Sequence, residues 1–313
     1  MPVNEGLGHA SYRRHERAYE AYSNGGERAE TARAWLDPGT VNAWRMARMY
    51  RFADPLLEAF PGARWLTVGD GRYGLDAAYL RRRGGRPLAT DIATTLLEEA
   101  KALGLIDEYR KENAEALSFG DNSFDFVLCK ESYHHFPQPM KALYEMLRVA
   151  RLGVLLVEPS DHEIPDTAAT TLSRLLKNAI KRLLARPTGG HRFEELGNYV
   201  YGVSRREMEK VALGIGLPTV AFGGLNDYYV PGAEFEPAQP GCRIFRRVRM
   251  RIARYDLLCR LGINQYGLLA VLMLKQAPSA ALVAALRRRG YGVTRLPERP
   301  PMAALPTRGE VGR

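Results

Sequence analysis

Between Trp65 and Gly74 the chain reads WLTVGDGRYG. The apolar run Trp65-Leu66-Thr67-Val68 enters a turn with glycine at Gly69, Gly71 and Gly74, and a helical pattern starts at once with Leu75, Ala78 and Tyr79. This reads as strand, tight turn, helix. Such a turn aims backbone N–H groups and a helix N-terminus at a bound nucleotide-type ligand. Glycine suits it because a Cβ would block the approach or forbid the backbone angles. The spacing satisfies G-x-G-x-x-G, a pattern whose meaning depends on the residues downstream of it.

Downstream lies a second strand, Pro87-Leu88-Ala89-Thr90, ending in Asp91. An acidic residue about twenty positions past the glycines suits a ribose diol, because a carboxylate accepts from two vicinal hydroxyls. A helix, 92–103, leads to the run ENAEALSFGDNSFDFVLCKESYHHF. This run resembles the middle of a class I S-adenosylmethionine-dependent methyltransferase. There an acidic residue and Ala precede Leu-Pro-Phe, a turn and Phe-Asp-x-Val. The resemblance spans 65–276 and implies a three-layer α/β Rossmann-like fold. Its sheet would have seven mostly parallel strands and an antiparallel last strand.

The resemblance also implies roles. Gly69, Asp70, Gly71 and Gly74 would line the methionine and ribose side of S-adenosyl-L-methionine. Asp91 would hold the ribose diol and Ile92 would pack on adenine. Asn113 and Ala114 stand where the family reads the adenine edge. Lys130 and Glu131 would flank the sulfonium. Two positions depart from the family pattern. Thr67 replaces an acidic residue that helps order the turn. Asn113 replaces an Asp, although its carbonyl oxygen can still accept from an amino group. The turn alone also suits an NAD-dependent sugar-modifying enzyme, with Asp91 on the adenosine ribose. None of the sixteen tyrosines, however, has the Lys four residues on that a short-chain dehydrogenase would want. A cofactor-binding scaffold that has lost transfer is a third, non-enzymatic reading.

Hydrophobic residues make up 46% of the 313, enough for a sizeable core. No apolar stretch is long enough to span a bilayer. Residues 1–10 lack an apolar signal core. Cys129, Cys242 and Cys259 are widely spaced, which suits a reducing cytoplasm and makes no metal pattern. A cytoplasmic bacterial protein is expected. The net charge of +10 comes from 37 Arg and 8 Lys against 35 acidic residues. The arginines are scattered and no nucleic-acid motif accompanies them. A small, anionic acceptor is therefore expected ahead of nucleic acid.

Residues 1–60 read as a helical cap, with helices near 11–22, 28–36 and 41–60. Tyr22, Trp35, Trp44, Arg45 and Tyr50 are candidates to cover the site or simply to pack the cap on the sheet. The core, 61–277, carries insertions at 160–203 and 223–262, both expected on the acceptor side. The first contains an amphipathic helix, 167–185, with Leu172, Leu175, Leu176, Ile180 and Leu183 on one side. The second contains a basic helix with Ile244, Val248, Ile252 and Tyr255 on one side, suited to packing on the core or to a membrane surface. A C-terminal extension, 278–313, has one helix, 280–289, and a Pro-rich end expected to fray.

Methyl transfer to oxygen or nitrogen needs in-line alignment and often a base. His134, His135 and Glu158 are the candidates, at the exits of the fourth and fifth strands. The pKa of an unperturbed His would make the rate rise through about pH 6–7. Asp161 and His162 form a second group, and His191 and Tyr199 are further candidates. His162, Glu163 and Asp166 could suggest a metal, but Pro165 breaks their spacing and none is expected. The expected acceptor is a specialised metabolite or an activated sugar. The sequence leaves the oligomeric state open.

Overall fold

The computed structural model describes residues 9–23, 25–162, 164, 168–184, 193 and 199–298. His191, Glu163 and Asp166 lie outside them. The cap comprises α1 (His9–Glu20), α2 (Gly26–Ala34), α3 (Val41–Tyr50) and α4 (Asp54–Ala59). Strand and helix then alternate: β1 (Arg64–Val68), α5 (Leu75–Arg82), β2 (Arg86–Asp91), α6 (Thr95–Ala102), β3 (Tyr109–Lys111) and β4 (Phe124–Lys130). Next come α7 (Pro139–Val149), β5 (Ala150–Pro159), α8 (Ala168–Leu183), α9 (Arg205–Ile215) and β6 (Thr219–Leu225). The chain continues through α10 (Arg243–Arg260), β7 (Leu268–Leu274), α11 (Ala280–Arg288) and β8 (Tyr291–Arg295).

One sheet holds all these strands in the order β3-β2-β1-β4-β5-β7-β6-β8. The pairs from β3 to β5 are parallel, and β7 enters antiparallel between β5 and β6. The sheet has eight strands, one more than the seven expected. The extra strand, β8, pairs antiparallel with β6 and caps the edge where the extension was expected to fray. Its YGVTR sequence buries Tyr291, whose hydroxyl donates to Phe52 O at 2.9 Å. The Pro-rich stretch behind it hid this signal.

Both faces of the sheet are covered, so the central strands are apolar throughout rather than alternating. On one face α7 and α9 pack through Leu143, Met146, Met208 and Ala212 on Val127, Val154 and Val271. On the other, Met49, Leu56 and Leu286 of α3, α4 and α11 pack on Trp65, Phe126 and Leu155. Trp65 stacks on Phe126 at 4.9 Å between centroids. Helix starts carry hydroxyl caps, in which Thr40, Ser204 and Ser279 accept from Ala43, Glu207 and Leu282 N–H. Helix α10 packs through Phe245, Val248 and Ile252 on Val41 and Val230, leaving its arginines outward. The leucine stripe of α8, by contrast, faces solvent.

Strand β1 lies between β2 and β4, where the direction of strand order reverses. The crevice beyond the carboxyl ends of the strands at such a point is where open α/β sheets bind ligands.

Candidate active site

The turn after β1 is built from within. The Asp70 carboxylate, 3% exposed, accepts from the backbone N–H groups of Asp76 (3.1 Å) and Ala77 (2.9 Å) at the start of α5. Thr67 Oγ1 donates to the same carboxylate at 2.8 Å. Burial pushes the Asp70 carboxyl well above its usual range, and Asp76 adds to this. The order that an acidic residue at position 67 would supply thus comes from Asp70, with Thr67 as donor. Asp70, expected to face the cofactor, is turned into the protein to cap α5. Gly74, at φ +58°, leaves room for Ile106, whose Cγ2 would lie 2.9 Å from a Cβ there.

Gly69 and Gly71 shape the crevice itself. A Cβ on Gly69 would meet Ser132 Cβ at 2.3 Å, and one on Gly71 would meet Asp91 Oδ2 at 2.8 Å and Tyr19 Cε1 at 2.9 Å. Ser132 Oγ donates to Gly69 O at 2.7 Å, tying the β4 exit to the turn. Asp91 closes β2 with 6% exposure. Its carboxylate accepts from Ala93 N–H at 2.8 Å and from the N–H groups of Gly71 and Ile92. Burial raises its pKa, and these donors oppose the rise.

These residues wall one cavity. Its lining includes Gly69, Asp91, Ile92, Asn113 and Ala114, as expected, together with Ser132, His135 and Phe136. Asn113 Oδ1 accepts from Glu115 N–H at 2.9 Å, so its carbonyl already holds the local turn. The cavity's cover is α1, through Tyr12, His15 and Tyr19. Tyr12 hydrogen-bonds with Glu115 and Asn113. The cap residues singled out in the sequence are not among the cavity's lining. Tyr22 touches Tyr19 and Trp35, Trp44 packs on Phe245, and Arg45 pairs with Asp227. The site-facing signal in 9–20 was a single stripe, Tyr12, His15 and Tyr19, at helical spacing.

Lys130 and Glu131 do not join the lining. Lys130 is buried under the turn, with Nζ 3.4 Å from Asp76 Oδ1 and 5.2 Å from the Tyr50 ring centroid. A buried ammonium needs a carboxylate, and Asp76 in the first turn of α5 supplies it. Glu131 sits at φ +50°, its N–H donating to Val157 O at 2.9 Å.

The two adjacent histidines have ring centroids 3.9 Å apart but different partners. His134 Nδ1 lies 2.6 Å from Oε2 of Glu158, which is fully buried. Glu158 Oε1 accepts from Ser132 N–H (2.9 Å) and Tyr133 N–H (3.0 Å). Glu158 therefore organises the β4 exit. His135 reaches the cavity instead. Burial, with His134 and His15 nearby, lowers its pKa to about 3. The expectation of a histidine titrating at pH 6–7 does not hold for His135.

Asp161, His162 and Tyr199 line a second cavity of about 430 Å³ with Tyr201, Glu207 and Lys210. The first insertion reaches the β4 exit here, since Tyr201 N–H donates to His134 O at 3.2 Å.

The family model described as "Methyltransferase domain" matches residues 66–157, the stretch from β1 to β5 that builds this crevice. Over these residues, under a third of the chain, the sequence is similar to a methyltransferase domain. Over 99 residues, 30% of this chain and 35% of the relative, it is 35% identical to "Uncharacterized protein Mb1440c" of Mycobacterium bovis. Over 142 residues, 44% of this chain and 57% of the relative, it is 32% identical to the ubiquinone biosynthesis O-methyltransferase of Xanthomonas campestris. The chain thus spans from about a third to just over half the length of these curated relatives. The YcgJ protein of Bacillus subtilis is 19% identical, with a TM-score of 0.44 over 71% of this chain and 97% of that one.

The cofactor of such a methyltransferase domain is S-adenosylmethionine, and the residues present fit it. At Gly69 and Gly71 the missing side chains let Ser132, Asp91 and Tyr19 close in around the cavity. Asp91 offers a buried acceptor at one side, and Ile92, Ala114 and Phe136 offer apolar walls. Among the described residues no helix is long and apolar enough to cross a membrane.

Proposed function

We propose that the protein is an S-adenosylmethionine-dependent methyltransferase acting on an oxygen or nitrogen of a small molecule. The observation that carries this reading is Asp91. It stands at the carboxyl end of β2, beside the strand-order switch, held by three backbone N–H groups and facing a cavity walled by Gly69, Ile92 and His135. The O-methyltransferase name of the Xanthomonas relative supports oxygen as the accepting atom.

When bound, the cofactor supplies a methyl group on a good leaving group. The chain's own residues then have positional tasks. Asp91 accepts from a diol. Ile92 and Ala114 pack on a planar ring. The N–H groups at the start of the turn tie it to β2, those of Gly69 and Asp70 through Thr90 O at 3.0 Å and that of Gly71 through Asp91. Ser132 fixes the β4 exit against Gly69. Helix α1 excludes water through Tyr12, His15 and Tyr19. His135, held neutral, can take a hydrogen bond from an acceptor hydroxyl and orient it; a group of such low basicity contributes alignment rather than strong proton abstraction. The cap at 1–60, the core at 61–277 and the tail at 278–313 divide the labour in this reading. Asp161, Tyr199 and Tyr201, which line the second cavity, border the acceptor in this reading.

A thermal-shift comparison tests the proposal. S-adenosylhomocysteine should raise the melting temperature and NAD should leave it unchanged, because only a ligand of the folded state stabilises it. Stabilisation by NAD alone would overturn it. Transfer of labelled methyl groups to a panel of hydroxylated and amino acceptors then identifies the acceptor atom.

A further inference from the structure

Helix α8 is oriented against the usual rule. Thr170, at 6% exposure, is buried, and Arg174 and Asn178, one and two turns further on, are half-buried. That polar row faces the protein. The opposite side carries Leu172 (69% exposed), Leu175, Leu176, Ile180 and Leu183 (86% exposed), with Leu184 just beyond the helix end. At 100° per residue, Leu172, Leu175, Leu176, Ile180 and Leu183 fall within an arc of about 140°. The helix is about 24 Å long at 1.5 Å per residue, so the stripe is a continuous apolar band. A band of this size exposed to water marks an interaction surface.

Charge decides what covers it. Between 168 and 184 the sequence has Arg174, Lys177, Lys181 and Arg182 and no acidic residue. Gln265, five residues beyond the end of α10, donates through Nε2 to O of Ile164, four residues before α8, at 2.9 Å. Helix α10 carries seven arginines against Asp256 alone, and its far end exposes Leu257, Leu261 and Ile263. Two basic segments with outward apolar side chains are thus linked through the loops that flank them. Two copies of this face would bring cations against cations. A surface with dense negative charge over a hydrocarbon layer would meet both features at once.

We infer that α8 lies in the interface of an anionic lipid bilayer, leucine stripe down, with the arginines of α10 against the same headgroups. The geometry is that of a helix lying in the membrane plane. The inference stands apart from the methyl-transfer reading, because it uses no residue of the crevice.

The test is co-sedimentation of the full chain with vesicles. Vesicles with about one-third phosphatidylglycerol in phosphatidylcholine should carry the protein down at about 0.1 M salt, pure phosphatidylcholine should carry much less, and about 0.5 M salt should release part of what is bound. The double variant Leu176→Asp with Leu183→Asp should bind at least about tenfold more weakly, because it places charge in the buried face. Both positions are exposed, so an unchanged melting temperature and unchanged S-adenosylhomocysteine binding serve as the folding control. Absence of wild-type binding to the anionic vesicles would overturn the inference. So would vesicle binding that the double variant leaves intact, or a wild-type dimer that the double variant dissociates while vesicles fail to bind.

Discussion

Glu158 Oε2 sits 2.6 Å from His134 Nδ1, and the other oxygen of that carboxylate holds the N–H groups of Ser132 and Tyr133. One buried carboxylate thus fixes a ring and the backbone of the following turn together. The consequence is a division between the paired histidines. His134 belongs to the scaffold of the β4 exit, and His135 belongs to the cavity wall.

Replacement of Glu158 should therefore act on stability before chemistry. Glu158→Ala leaves two backbone donors and the imidazole N–H without their acceptor in a dry site. A loss of about 3 kcal/mol or more is expected from unsatisfied buried groups. Glu158→Gln keeps one acceptor oxygen but presents an amide N–H₂ to His134 Nδ1, forcing the other tautomer. Urea unfolding should show a loss of about 1–3 kcal/mol, intermediate between Ala and wild type. A wild-type midpoint for both variants would show that the pairing contributes nothing.

His135 gives a pH signature. Its folded-state pKa, about 3, lies below the unfolded value, so between about pH 6.5 and 3 the unfolded chain binds the extra proton. This contribution to stability is fully present above the unfolded pKa and is lost as pH falls through that window. The slope is at most about 1.4 kcal/mol per pH unit. His135→Phe should flatten the acid side of the stability profile. The same depression removes His135 as the source of any rate inflection near pH 7. Transfer that rises through about pH 6–7 in the wild type but not in His135→Gln would contradict this assignment.

Helix α1 covers the cavity, and Tyr19 stands so near the turn that a Cβ on Gly71 would lie 2.9 Å from its Cε1. Ligand entry therefore requires α1 to yield and then repack. Hydrogen exchange over 9–20 should slow when S-adenosylhomocysteine is bound, and Tyr19→Ala should weaken binding while leaving the core melting temperature within about 2 °C, as for a side chain outside the main core. Exchange over 9–20 that does not respond to ligand would remove the lid role.

The sheet from β1 to β5, the crevice and the places of Gly69, Asp91, Ile92, Asn113 and Ala114 were legible in the sequence, because each depends on local patterns: a glycine turn, a strand-end carboxylate and an Asn at a turn. What escaped depends on contacts distant in the chain. Asp70 reads as a cofactor ligand until the N–H groups of Asp76 and Ala77 are seen to claim it. Lys130 reads as a site cation until Asp76 is found beneath it. The choice between His134 and His135 is made by Glu158, more than twenty residues away. Strand β8 was hidden by its short length beside a Pro-rich stretch. The leucines of α8 read as one side of an amphipathic helix, and only the tertiary orientation shows that side turned outward.

The most direct measurement is titration calorimetry of S-adenosylhomocysteine against the wild type and Asp91→Ala. The wild type should bind. The variant should lose about 1.5–3 kcal/mol, roughly a 10- to 150-fold weakening, the range for hydrogen bonds to a charged acceptor. Its far-UV spectrum should be unchanged. Undiminished affinity in Asp91→Ala, or a wild type that ignores S-adenosylhomocysteine and binds NAD, would contradict the assignment of this crevice.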